Sequence, residues 1–318
     1  MARWFWLGGN VAHTLMQRYV NGGIYHMHGV CKLCKKEAKL ELSHFIPKFI
    51  GKWLKKTAIT GYFREGNQVS KRKQDIAKDY WLCGSCEDIF STWERSFSLK
   101  IFYPYIEDSS LVTSYDNWLS KFTASLSWRT LTYIRSKNSD ETHSQEYLDM
   151  LATAEKGLAD FLLGKVSNLY EFEQHIYPLD VIESTSFDNL PTNINRYFLR
   201  TIAMDIVSNS QGTYIYTKLP SFIVIGIVKC NQSREMRSSR VAIGGGTISP
   251  REYVFPDGFD GYMMDAANKI SELYEQIPEE QLAKIEQYVV DNPDKVLDSK
   301  LFEAIVHDYE RFGKNSLR

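Results

Sequence analysis

Apolar positions change their period twice along this chain. Ile89, Phe90, Trp93, Phe97 and Ile101 fall on one stripe at helical spacing, which predicts a helix that Pro104 stops. Trp118, Leu119, Phe122, Leu126 and Leu131 predict another over 111–136. Residues 141–164 turn amphipathic in their second half, with Gly164 placed to cap the end. Residues 193–208 read as a buried helix. The period then shortens. Residues 213–217 and 221–229 are β-branched and aromatic runs separated by Leu219-Pro220, residues 240–243 are a candidate third strand, and Gly244 to Gly246 make a turn. Helical spacing returns over 262–276, again after Pro278 through Leu282, Ile285 and Val289, and last over about 296–312. Residues 1–30 are weakly patterned. The expected class is α+β, with an N-terminal extension (1–30), a small module (31–105), and a mainly helical domain (106–318) carrying a small sheet near 211–245.

Composition adds little, and charge adds more. Of 318 residues, 43% are hydrophobic and 14% aromatic, enough to build a packed core rather than a disordered chain. Net charge is −1, yet Lys32 to Lys78 holds 13 Lys/Arg against 4 Asp/Glu. That leaves a +9 segment on a body of −10, an asymmetry suited to a local polyanion surface or to a merely solvated lysine-rich face. No apolar run approaches the roughly 18–20 residues of a membrane span, so no membrane association is expected. Met1 to Leu7 reads as a packed or frayed terminus, or as part of an extension upstream of Met27.

Five cysteines, four of them in two CxxC pairs, do not suggest a secreted disulfide framework, and a reducing cytoplasmic setting fits. Cys31-x-x-Cys34 and Cys83-x-x-Cys86 suit two knuckles closing a tetrahedral Zn²⁺ site, with Gly84 easing the second turn. Four thiolates leave no open position, so this zinc is structural. A redox CxxC would be expected beside a βαβ pattern, which is absent. Cys230, in an apolar run, is expected to be a buried, inert thiol. The other histidines, His13, His26, His28, His143, His175 and His307, lack ligand-like spacing.

The 48 residues between the knuckles contain Leu42-Ser43-His44-Phe45-Ile46-Pro47-Lys48. A CxxC, then His44-x-Ile46-Pro47-Lys48, then Leu82-Cys83-x-x-Cys86 opening a helix, resembles the zinc-braced HNH (ββα-metal, His-Me finger) endonucleases. The resemblance spans roughly residues 28–103, a quarter of the chain. It implies a ββα-metal module in which His44 is the general base that activates water for attack on a phosphodiester, opposite one catalytic Mg²⁺ or Mn²⁺. The family has an acidic ligand where this chain has Ser43, and His or Asn where it has Glu87. Lys78 stands where Asn is common, with Asp79 beside it and Asp75 nearby. The candidate ion ligands are therefore Glu87, Asp75 and Asp79. Glu94, two turns beyond Glu87, reads as a partner for a surface Lys or Arg.

Lys48, Lys52, Lys55, Lys56, Arg64, Lys71, Arg72, Lys73 and Lys78 are interleaved with Trp53, Tyr62 and Phe63, a pattern suited to nucleic-acid phosphates, with DNA the expected partner. Arg72 and Gln74 flank the ion candidates, Arg72 as a phosphate clamp. The resemblance implies an endonuclease, of the kind found in restriction, phage defence and mobile elements. The C-terminal domain would then recognise a protein partner, self-associate or regulate the cut. The alternatives are a zinc-finger binding or scaffold protein without catalysis, and a C-terminal sensor whose effector is the zinc module.

Overall fold

The computed structural model describes residues 27–64, 66, 69–137, 143–183, 189–231, 233–249 and 251–317. The expected extension lies outside them except for its last four residues, which form strand β1 (Met27–Val30). β1 pairs antiparallel with β2 (Glu37–His44), and β2 with β5 (Lys78–Cys83). Between β2 and β5 the chain makes helix α1 (Lys48–Lys56) and a two-stranded ribbon, β3 (Phe63–Arg64) with β4 (Arg72–Lys73). β5 runs straight into α2 (Gly84–Phe97).

The helical stripe after Cys86 forms as expected, but Pro104 does not end it. A π-helical turn over Ser98–Phe102 leads into α3 (Tyr103–Glu107). Pro104 is the second residue of α3, just after the π-helical turn, and the helical backbone runs through it with one donor fewer. The helix expected from 111 starts later, as α4 (Trp118–Lys137), because β6 (Thr113–Asp116) pairs with β11 (Gly245–Ile248). The three glycines read as a turn thus place two residues in a strand. Gly245 has φ +127, and a Cβ there would meet the Tyr115 carbonyl at 2.7 Å.

α5 (Gln145–Leu162) is capped by Ser144 and ends at Gly164 in the left-handed region. The main sheet has four antiparallel strands in the order β7-β10-β9-β8: β7 (Gln174–Pro178), β8 (Ala203–Ser208), β9 (Gly212–Leu219) and β10 (Phe222–Cys230). The segment 193–208 is therefore split into α6 (Ile194–Arg200) and strand β8. Met204 faces one core and Ala203 the other, so both faces of the strand are covered and the apolar run hides its period of two. Residues 240–243 supply only an isolated bridge from Arg240 to His175. Helices α7 (Phe259–Tyr274), α8 (Glu279–Asp291), α9 (Pro293–Leu297) and α10 (Lys300–Phe312) complete the chain.

α4 lies at the centre, buried on nearly every side between α2, α5 and the sheet. One apolar cluster joins Phe45, Trp81, Phe90 and Phe97 of the N-terminal region to Phe122 and Trp128 of α4 and Phe222 and Val224 of β10. A second cluster covers the other sheet face, where Tyr177, Tyr214 and Ile225 meet Phe259 and Met263 of α7. Each such side chain, fully buried, contributes on the order of 1.5–3 kcal/mol. No helix of the described residues is long and apolar enough to cross a membrane.

Candidate metal centre and the His44 site

The β2–β5 hairpin carries a different group of polar side chains at each end. At one end Cys31, Cys34, Cys83 and Cys86 bring their four sulfurs within 4.8 Å of one another. The Cys34 and Cys83 sulfurs are 3.8 Å apart, close to the ~3.8 Å that a tetrahedron of ~2.3 Å zinc–sulfur bonds requires. The donor set and spacing fit a closed site for a metal such as zinc. The first knuckle is held by the Cys31 N–H to the Lys36 carbonyl (2.9 Å) and the Lys35 N–H to the Cys31 carbonyl (3.0 Å). Backbone strain sits here, at Lys35 with φ +61, and not at Gly84, which begins α2 with open space around it. Burial raises the Cys31 thiol, but N–H groups of Cys34, Cys83 and Leu33 outweigh it and bring the group down to about 7. Burial pushes Cys34 and Cys86 up instead. One thiolate is thus readily formed, and four in contact need a cation among them.

At the other end stands His44, the last residue of β2, its side chain 11% exposed. Its Nε2 lies 3.2 and 3.3 Å from the two carboxylate oxygens of Asp75, which also accepts from the Lys78 ammonium at 2.5 Å. Burial favours the protonated Asp75 carboxyl, but hydrogen bonds from Lys78 and His44 override it and hold the group below its usual range. An ionised carboxylate only accepts, so Nε2 carries the proton and Nδ1 the lone pair. Burial lowers the His44 pKa, an effect that Asp75 only partly offsets and to which Lys78 and Lys48 add, so the ring is neutral at pH 7.

The backbone of His44 is fixed from the body of the protein. Arg129 of α4, 3% exposed, donates to the His44 carbonyl at 3.2 Å and to Glu94 of α2 at 2.7 Å. Glu94 is therefore half of a buried ion pair, not of a surface one. Burial raises its pKa, Arg129 opposes this, and Glu87 on the same helix adds to it. Sequence reasoning missed Arg129. Its signal was a cation in the middle of α4, flanked by the apolar Leu126, Trp128 and Leu131.

The candidate ion ligands do not converge. Among the described residues the four cysteines are the one group of three or more His, Cys, Asp or Glu whose ligand atoms meet. Asp75 is engaged by His44 and Lys78. Asp79 pairs across the sheet with Ser43, on the face opposite to His44, and its carboxylate accepts the Tyr80 N–H at 2.8 Å. Glu87 sits in the first turn of α2, a position the helix dipole favours for a carboxylate without any ion. Ser43 is buried. A β-bulge shifts the register from Glu41–Leu82 to Leu42–Tyr80, leaving Trp81 as the extra residue, and the Ser43 hydroxyl accepts the Leu82 N–H at 3.2 Å. The residues present do not fit a catalytic Mg²⁺ or Mn²⁺ beside His44.

The basic segment divides into solvated and occupied groups. Lys48, Lys52 and Lys56 of α1 project into solvent and Lys55 is half-buried. Lys71, Arg72 and Gln74 are exposed, and the Arg72 guanidinium lies 4.8 Å from the Tyr62 ring centre. Arg64 instead turns inward to the Val69 carbonyl and closes the β3–β4 ribbon. Trp53 is core, stacked edge-on against Phe102 beneath Arg200, and Phe63 packs on the same core. Cys230 is half-buried, 3.3 Å from the Tyr214 hydroxyl.

Comparison of the chain with protein-family models, curated proteins and solved structures gave no match in any of the three.

Proposed function

We propose that this protein is an HNH-like endonuclease that hydrolyses nucleic-acid phosphodiester bonds, DNA the expected substrate, with His44 as general base. The observation that carries the reading is the His44–Asp75 pair, at the end of a strand and flanked by Lys48 and Lys78. The succession of antiparallel β2 and β5 directly followed by α2, with the cysteine cluster at the far end of the hairpin, supports the ββα-metal comparison.

The chemistry follows from the tautomer. Asp75 holds Nε2–H, so the Nδ1 lone pair is available to take a proton from water. The resulting hydroxide attacks phosphorus and the ester oxygen leaves with the electron pair of the broken P–O bond. Lys48 and Lys78 offset charge on the phosphate. Zinc, when bound by the four cysteines, braces the hairpin and takes no part in the reaction. The divalent ion of the resembling family has no matching ligand set here, and no step is assigned to it.

The buried Ser43 and the dispersed carboxylates favour a second reading, a zinc module that binds nucleic acid without cutting it. A plasmid-cleavage assay separates the two. Wild type and His44→Ala are compared with Mg²⁺, Mn²⁺ or EDTA, with zinc content measured in parallel. Nicking by wild type that falls ~10²- to 10⁴-fold in His44→Ala, zinc unchanged, is expected of the hydrolase. Salt-sensitive DNA binding by both proteins with no cutting by either establishes the second reading instead.

A further inference from the structure

The sheet face that bears His44 bears two more side chains that the proposed chemistry leaves unused. Side chains alternate along a strand, so Leu42 shares the face of His44, and the register places Tyr80 opposite Leu42 and Lys78 opposite His44. Asp75, bonded to both His44 and Lys78, lies on that same face. Leu42 is 42% exposed and Tyr80 39%, whereas Ser43 and Trp81, their chain neighbours, are buried. Among the described residues no ring contact or hydrogen bond engages the Tyr80 side chain.

An aromatic ring and a leucine left in water beside a histidine and two lysines suit a ligand with two parts, an anion and a flat apolar face. Residues two apart on a strand are roughly 6.5 Å apart. A phosphate at His44 and Lys78 therefore brings its own base, or the adjacent one, over Tyr80 and Leu42. In a duplex the base faces are covered by their stacked neighbours. Only an unpaired base can lay its face on a tyrosine. We propose that Tyr80, with Leu42, is a stacking platform for an unpaired base next to the phosphate held at His44, so that the substrate strand is single-stranded or locally unpaired there. This rests on the nucleic-acid reading above and specifies its substrate.

The test measures binding, which does not depend on cleavage. Fluorescence anisotropy with short labelled oligo-dT, and with a mixed-sequence duplex of equal length, is read for wild type, Tyr80→Ala and Tyr80→Phe at one salt concentration. Tyr80→Ala is expected to weaken oligo-dT binding by about 5- to 100-fold and leave duplex binding unchanged. Tyr80→Phe, which keeps the ring, is expected to bind as wild type does and so shows that the fold is intact. Oligo-dT binding undiminished in Tyr80→Ala, or wild type that binds the duplex and not oligo-dT, overturns the platform and leaves the hydrolase reading standing. Wild type that binds neither nucleic acid overturns both.

Discussion

The two ends of the β2–β5 hairpin were assembled by different rules. At the cysteine end four soft donors of one kind converge from a turn after β1 and from the junction of β5 with α2. The hard donors expected beside His44 come from a loop, a strand and a helix, and they separate. Asp75 goes to the histidine, Asp79 to the opposite face and Glu87 to a helix start. A CxxC fixes two ligands within four residues, so its geometry is nearly local. A carboxylate site needs several elements to arrive in register, and a single bulge is enough to redirect one of them.

Experiments that disturb one end and read the other sharpen this contrast. The largest effect is expected from the metal. Structural zinc contributes on the order of 10 kcal/mol in small modules. Cys86→Ser, or chelation, is expected to release zinc and to abolish hydrogen-exchange protection across β1, β2 and β5 while the four-stranded sheet stays protected. Asp79→Asn is expected to keep its zinc. Next comes the tie between α4 and the hairpin. Arg129→Met strands Glu94 in a buried position, for about 3–5 kcal/mol of stability lost, read by denaturant titration. Converting both partners, Arg129→Met with Glu94→Leu, is expected to recover most of that loss.

Asp75→Asn should act on rate more than on stability, lowering cleavage about 10- to 100-fold. Its sign in pH is also fixed. His44 must be neutral to accept a proton, so the rate falls as pH drops through its pKa, which burial already sets below the ordinary 6.5. Asp75 raises that pKa, so removing its charge is expected to move the acid limb of the pH–rate profile further down. An acid limb shifted upward would show that Asp75 does not act through His44. The smallest effect belongs to the first knuckle. Lys35→Gly relieves the positive φ and is expected to add up to ~1 kcal/mol, seen as a small rise in Tm with zinc content unchanged.

What the sequence made legible follows the same division. The cysteines, the helical stripe of α2 and the capped end of α5 are written in short-range spacing. His44 could be singled out because its neighbours in the chain resemble a known motif. The partner of His44 lies 31 residues away, brought in by a hairpin insert whose course no local pattern announces. Ser43 stood out only as a departure from the family's acidic ligand, and its role as a backbone hydrogen-bond partner could not be read, because the bulge at Trp81 is invisible in a list of residues. The segment 193–208 misleads for a related reason. A strand covered on both faces has no polar side to betray its period.

The hydrogen bond from Arg129 to the His44 carbonyl also bears on transplantation. Small modules built on paired cysteine knuckles are attractive as parts to be moved between proteins. In this one the rings of Phe45, Trp81 and Phe90 share a core with α4, and the strand end that carries His44 is anchored to that helix. A fragment cut near residue 105 would keep the four clustered cysteines and His44 yet lose the surface on which those rings rest. A graft made without α4 is expected to carry its cysteine knuckles into a host as a sticky, misaligned hairpin, and one that ends with α4 would strip that helix of α5 and the sheet.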